Sequence, residues 1–390
     1  MTQGKKPALR FKGFDNDWEQ CKLGELATFN KGAGYSKSDL KASGTQIILY
    51  GRLYTQYETV IKQVDTFVNS HPGSVYSEGG EVIVPASGET AEDIAIASVV
   101  EKPGILLGGD LNIIHPIRNL DSTFLAISIS NGEPHKEMAK RAQGKSVVHL
   151  HNDDLSQIKF RYPSIEEQSK ISKFFSNLDN LVTLHQRKLE KLQNLKKAML
   201  EKMFPQNGAK VPEIRFKGFT NDWEQRKLGN ECFEIVAGGD VDKTKLLQDG
   251  KYPVIANALT DEGIIGYYSN EYRIKAPAVT VTGRGDVGHA RARKINFTPV
   301  VRLLSVVSKH DVDFLAESIN QNDIVLESTG VPQLTVPALA NYLLCFPPTI
   351  KEEKRIGQYF SQLNHLLTLH QRKLEKLQNL KKAMLEKMFI

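Results

Sequence analysis

Residues Thr183 to Phe204, TLHQRKLEKLQNLKKAMLEKMF, return without a change as Thr368 to Phe389. Each copy is preceded by a weaker echo, PSIEEQSKISKFFSNLDNLV from Pro163 and PTIKEEKRIGQYFSQLNHLL from Pro348. Within these stretches the apolar residues keep a seven-residue beat. Ile171, Phe175, Leu178, Val182, His185, Leu189, Leu192, Lys196, Met199 and Met203 fall at alternating spacings of four and three, and Ile356 through Met388 repeat them. Such a/d patterning over several heptads calls for a coiled coil. About 40 residues at 1.5 Å each give a rod of roughly 60 Å. Two rods with the same seam most simply pack on each other. Polar seam residues, His185, Lys196, His370 and Lys381, weaken a dry zipper but can set register and orientation. Both rods open on a helix-start signal: Ser164 with Glu167, and Thr349 with Glu352, fit a capping box.

A second repeat stands at the front of each half. Arg10 to Gly24, RFKGFDNDWEQCKLG, matches Arg215 to Gly229, RFKGFTNDWEQRKLG, except at Asp15/Thr220 and Cys21/Arg226. Trp18 and Trp223, the two tryptophans, occupy matching places and read as buried anchors. PQNGAKV, from Pro205, reads as a helix stop and linker. The chain therefore divides into 1–162, a long helix over 163–204, a linker over 205–214, a second front motif and globular region over 215–347, and a second long helix over 348–390.

The regions between the repeated ends, about 25–162 and 230–347, do not resemble each other. Both read as short strands and turns with a few helices. Gln46 to Tyr50, Glu81 to Pro85, Gly104 to Leu107, Tyr252 to Ile255, Gly263 to Tyr268 and Ala278 to Thr282 are β-like. Asp121 to Ser130 and Val312 to Gln321 are helical. Duplicated frames around diverged inserts suit a protein that reads two different targets at a fixed separation.

Chemistry is hard to find. The sequence has no Walker A loop, no Asn/Asp-Pro-Pro-aromatic methyltransferase motif and no HExxH, and its three cysteines lie far apart. Catalysis by this chain alone is not expected. No apolar run approaches the roughly 20 residues of a membrane span, and MTQGKKPALRF lacks a hydrophobic signal core. A cytoplasmic, membrane-free protein is the expectation. A net charge of +6 is compatible with nucleic acid without being diagnostic.

Some residues nonetheless suit DNA. Thr282, Arg284, Arg291, Arg293 and Lys294 form a Gly-flanked basic cluster after a strand; arginine can bond a guanine edge in bidentate fashion, and Arg291 and Arg293 alternate onto one face suited to phosphates. The matching strand of the first region carries the small hydroxyls of Ser87 and Thr90 around Gly88. Lys31, Tyr35, Lys37, Arg52 and Tyr54 add basic and aromatic groups in loops.

The paired openings RFKGF…WEQ-KLG, the junctions YPSIEEQ and PPTIKEE, and the two long helices, in this order twice, resemble the specificity (S) subunit of type I restriction-modification systems along the whole chain. The junctions differ, Gln168 standing opposite Glu353. The resemblance implies an α+β fold: two mostly β target recognition domains, each followed by a long helix, with the helices packed as an antiparallel coiled coil of pseudo-twofold symmetry. It implies an adaptor whose domains read the halves of a bipartite, asymmetric site on double-stranded DNA while the coiled coil sets the spacer. Two methyltransferase (M) and two restriction/translocase (R) subunits would be the partners, bringing S-adenosylmethionine, ATP and Mg; this chain would bind no cofactor or metal itself. Arg284-Gly285-x-x-Gly288 is similar to a loop common in such domains. The resemblance also places the turn with Lys145, Ser146 and His149, and its counterpart at Gln333, close to DNA. Rival readings are a stand-alone DNA-binding regulator and a coiled-coil scaffold with no role in DNA binding.

Overall fold

The computed structural model describes residues 6–117, 119–144, 147–206, 208–322 and 332–389. The chain forms two compact units, one of Met1–Gln186 with Lys373–Ile390, the other of Arg187–Arg372. Their boundaries cut through two helices of equal length, Ile165–Met203 and Ile350–Met388. Within each unit the head of one helix lies against the tail of the other and runs antiparallel to it: Phe175 meets Phe389 and Asp179 pairs with Lys381 in the first, and Phe360 meets Phe204 in the second.

In the first unit a five-stranded sheet has the order Ala27–Lys31, Leu111–Pro116, Val82–Pro85, Ser98–Val100, Val60–Ile61, antiparallel except for its last pair. A three-stranded sheet of Phe67–Val68, Thr45–Ile48 and Leu106–Leu107 accompanies it. In the second unit a four-stranded sheet runs Cys232–Ala237, Leu303–Ser308, Ala278–Thr282, Ala290–Arg293, beside a three-stranded sheet of Ile264–Tyr268, Tyr252–Ile255 and Thr298–Pro299. Every strand and helix expected in the inserts is present, within a few residues at the ends. Aspartate caps start both insert helices: Asp121 accepts from the Phe124 amide before Ser122–Asn131, and Asp311 from that of Phe314 before Val312–Asn320.

The repeated front motifs clasp each insert. Glu19–Lys22 pairs with Lys159–Tyr162, and Glu224–Lys227 with Leu343–Phe346, so the strand entering an insert lies beside the strand leaving it. Trp18 is 5 % exposed and meets Phe124 edge-on; Phe389, from the tail of the second helix, stacks on the same Phe124 and touches Phe175. The second unit repeats the arrangement with Trp223, Phe314, Phe360 and Phe204. The repeated helix therefore ends in a phenylalanine that completes an aromatic core.

Along the rods, the seam residues are less exposed than their neighbours, as the heptads require. Two seam lysines have carboxylate partners: Lys381 pairs with Asp179 in the first unit, and Lys196 Nζ lies 2.9 Å from Glu317 Oε1 in the second. The capping-box role expected of Glu167 and Glu352 is corrected. Both Glu167 oxygens receive the guanidinium fork of Arg10, at 2.8 and 2.6 Å, and Glu352 receives that of Arg215, at 2.7 and 2.9 Å. These carboxylates tie the front motif to the helix start, because a planar bidentate cation satisfies them better than one backbone amide can. Among the described residues no helix is long and apolar enough to cross a membrane.

Candidate nucleic-acid interface

In each unit, the strand that runs into the expected recognition loop leaves the main sheet and forms a short bridge with the segment before the last short helix. In the first unit Ser87–Gly88 pairs with Val148–His149, setting Ser87 opposite His149. In the second, Arg284 pairs with Gln333. Two places chosen separately in the sequence thus meet in both units.

In the second unit the loop is built to present Arg284. The Gly283 amide donates to Asn257 Oδ1 at 2.9 Å, while Asn257 Nδ2 donates to the Val301 carbonyl at 3.0 Å. A Cβ on Gly283 would stand 2.2 Å from the Arg302 carbonyl oxygen, so the close approach requires glycine. The buried Thr282 hydroxyl accepts from the His289 amide at 3.0 Å and donates to the Asp286 carbonyl, closing the turn. Its role is to shape the loop. Gly285 and Gly288 take positive φ, +75° and +84°. Arg284 is left exposed at the tip.

The remaining basic residues separate. Arg291 is exposed on the edge strand. Arg293 lies against the sheet, donating to Thr280 Oγ1 at 2.9 Å and to the Glu262 carbonyl at 2.9 Å. Burial, aided by repulsion from Arg291, pushes its pKa down to about 10, which leaves it charged at neutral pH. Lys294 reaches Asp313 at 2.7 Å. Arg291 and Arg293 border a cleft of about 450 Å³ that also takes in His289 and Lys196.

In the first unit the Tyr54 hydroxyl donates to the Ser87 carbonyl at 2.9 Å, and Ser87 Oγ lies 3.1 Å from His149 Nδ1. Burial raises the Tyr54 pKa, so the phenol stays protonated as a donor. A Cβ on Gly88 would fall 2.9 Å from the Tyr54 oxygen and 3.1 Å from Ile94 Cβ. Tyr54, Ser87 and Gly88 line a cleft of about 970 Å³, together with Tyr50, Tyr57 and the seam lysine Lys381.

Other expected contacts stand elsewhere. Arg52 is only 9 % exposed and is bound by Glu58, Asp65 and the Gln63 carbonyl. Tyr35 stacks on His71 and is hydrogen-bonded to Ser74 at 2.6 Å. Thr90 is paired with Asp93 at 2.7 Å. Lys31 ends its strand exposed, and Lys37 is exposed in a 3-10 turn. Lys145 and Ser146 lie outside the described residues. Asn257 was missed in the sequence, since nothing there marks a residue that acts on Gly283 from 26 positions away.

Each of the two units is thus a sheet domain clasped by the same front motif and completed by the tail of the long helix that begins in the other half of the chain. The family described as type I restriction modification DNA specificity domain matches residues 15–194 and again 220–379, so the chain belongs to that family. A protein of Mycoplasma pneumoniae provisionally named a type I specificity subunit is 22 % identical over 363 residues, which cover 88 % of this chain and 89 % of the relative. The MjaVIII type I restriction enzyme specificity subunit of Methanocaldococcus jannaschii is 24 % identical over 192 residues, 47 % of this chain and 44 % of that one. Among solved structures, the type I S subunit of M. genitalium superposes with a TM-score of 0.71 over 99 % of both chains at 13 % identity, which shows a shared fold.

Proposed function

We propose that this specificity subunit reads a bipartite, asymmetric site on double-stranded DNA, one half with each globular domain. The observation that carries this reading is the duplicated bridge that brings Ser87 to His149 in one domain and Arg284 to Gln333 in the other. The presented groups are chemically unlike, so the half-sites differ. Arg284 is the base reader of the second half, its guanidinium set toward the O6 and N7 acceptors of a guanine, with Gln333 beside it. Arg291 supplies phosphate contact. In the first domain the exposed His149 presents an imidazole to the other half-site, with the buried Ser87 hydroxyl and, behind it, Tyr54 holding it in place.

The long helices act as the ruler that fixes the number of unread base pairs between the halves. Exposed leucines outside the seam, Leu181 and Leu184 in the first unit and Leu366 and Leu369 in the second, offer repeated apolar patches for two methyltransferase subunits. S-adenosylmethionine, ATP and Mg belong to the methyltransferase and restriction subunits, and the assembly works in the cytoplasm. The test is methylome sequencing of a host that expresses this chain with its methyltransferase. The expected result is one bipartite motif. Replacing residues 25–162 by those of a relative should change one half of it only; a change in both halves would refute the division of labour.

A further inference from the structure

The junction between domain and frame is built twice, but with opposite polarity. In the second unit the imidazole of His310, 8 % exposed, lies between two carboxylates: Nδ1 is 2.8 Å from Glu353 Oε1 and Nε2 is 3.1 Å from Glu231 Oε2. Two carboxylate partners call for two N–H donors, hence an imidazolium. Glu231 is also held by Arg226 at 3.2 Å and Lys309 at 3.1 Å, and the second Glu353 oxygen accepts from the Asp311 amide at 3.1 Å.

The first unit has the same skeleton without the charges. The front repeats align Cys21 with Arg226 and Leu26 with Glu231; the helix-capping aspartates align Leu120 with His310; the helix starts align Gln168 with Glu353. Gln168 Oε1 accepts from the Asp121 amide at 2.9 Å, as Glu353 does from Asp311. Its Nε2, however, donates to the carbonyls of Asn119 and Pro163 at 3.0 and 2.8 Å. Beside it lie the buried Leu26 and Leu120, where the second unit has Glu231 and His310.

A separate contact follows the same rule. In the first unit Lys381 takes its carboxylate from the helix, at Asp179, which also accepts from the Thr59 hydroxyl at 2.9 Å. In the second, the residue aligned with Asp179 is Asn364. Lys196 takes its carboxylate from the domain, at the buried Glu317, to which Asn364 Nδ2 also donates at 2.8 Å. The first domain carries the buried Ile127 at the place of Glu317.

We propose that each recognition domain is keyed to its own half of the frame by these buried polar sets, so the two domains cannot trade places unless the frame changes with them. Moving the second domain into the first position would set His310 against the Gln168 amide and Glu317 against Asp179, two carboxylates sharing one lysine. Moving the first domain into the second position would leave Glu353 without its imidazolium and Lys196 facing Ile127. An uncompensated buried charge costs far more than a lost surface pair. The aligned repeats, identical at most positions, would thus tolerate replacement of a domain by another of its own class, but not exchange between classes.

The test uses the full chain and thermal unfolding, a readout that does not depend on DNA and so fails separately from the proposed function. One variant exchanges residues 25–162 with 230–347. A second adds Cys21→Arg, Gln168→Glu and Asp179→Asn at the first position, and Arg226→Cys, Glu353→Gln and Asn364→Asp at the second. The exchanged chain should melt on the order of 10 °C lower than the parent or precipitate. The matched chain should recover most of that loss. An exchanged chain that melts with the parent, or a matched chain no better than the unmatched one, overturns the proposal.

Discussion

Arg10→Ala removes the cation from Glu167, a side chain 1 % exposed whose two oxygens both rest on the Arg10 guanidinium. Breaking a buried pair by deleting one partner costs about 3–5 kcal/mol, whereas an exposed pair contributes at most about 1 kcal/mol. Arg10 itself retains 11 % exposure, so water can reach one edge of the site, and the lower end, about 3 kcal/mol, applies. For a unit of about 200 residues this lowers the melting temperature by about 6–12 °C. Each unit holds one tryptophan, so Trp223→Phe leaves Trp18 as the fluorescent reporter of the first unit. Adding Glu167→Gln to Arg10→Ala should restore much of the loss, since a neutral amide replaces the stranded carboxylate. Arg215→Ala should cost less, by about 1 kcal/mol, because the Trp223 indole still donates to Glu352 at 3.3 Å. A loss below about 1 kcal/mol for Arg10→Ala would refute the claim that this pair clamps the front motif to the helix.

Arg284→Ala is expected to weaken binding by about 1–3 kcal/mol and to relax a single position of the second half-site, read by motif sequencing. Arg291→Ala should weaken binding evenly across sequences and reduce the salt slope by about one. Gly88→Ala should spoil reading of the first half-site only, because its methyl meets Tyr54 and Ile94, while Gly51→Ala, with nothing within 4 Å, should leave the motif intact. Burial opposes the charge on His310, but the bonds and charges of Glu353 and Glu231 outweigh it and raise its pKa. Its contribution is therefore complete below the ordinary histidine value of about 6.5 and is lost as pH rises through the raised one. Glu231, whose burial is outweighed by His310, Lys309 and Arg226, has a lowered pKa and gives up its contribution only as pH falls below the ordinary carboxylate range. Melts of the second unit from pH 6 to 9 should show a decline that His310→Leu abolishes.

The rods were the most legible part of the sequence, because a heptad seam repeated over ten positions leaves little choice of structure. The tryptophans and the strands of both inserts were also readable, since their patterns are local. Side-chain roles were less so. Arg52, Tyr35 and Arg293 look like free DNA contacts in a one-dimensional reading, yet each finds partners brought near by the fold, such as Glu58 and Asp65, Ser74, or Thr280. Glu167 has the spacing of a capping box, but an arginine 157 positions earlier claims it. The Gln168/Glu353 difference was visible as a departure between the halves. Its meaning depends on His310 and Leu120, which lie in regions with no detectable likeness to each other.

Excision of one heptad from each helix, residues 184–190 and 369–375, tests the two-reader scheme most directly. It leaves Asp179–Lys381 and Lys196–Glu317 in place and shortens each helix by about 10 Å, close to three base pairs of duplex. Methylome sequencing of a host carrying the shortened chain with its methyltransferase should show both half-sites unchanged and the gap between them reduced by about three. An unaltered gap, or a change in either half-site, would contradict it.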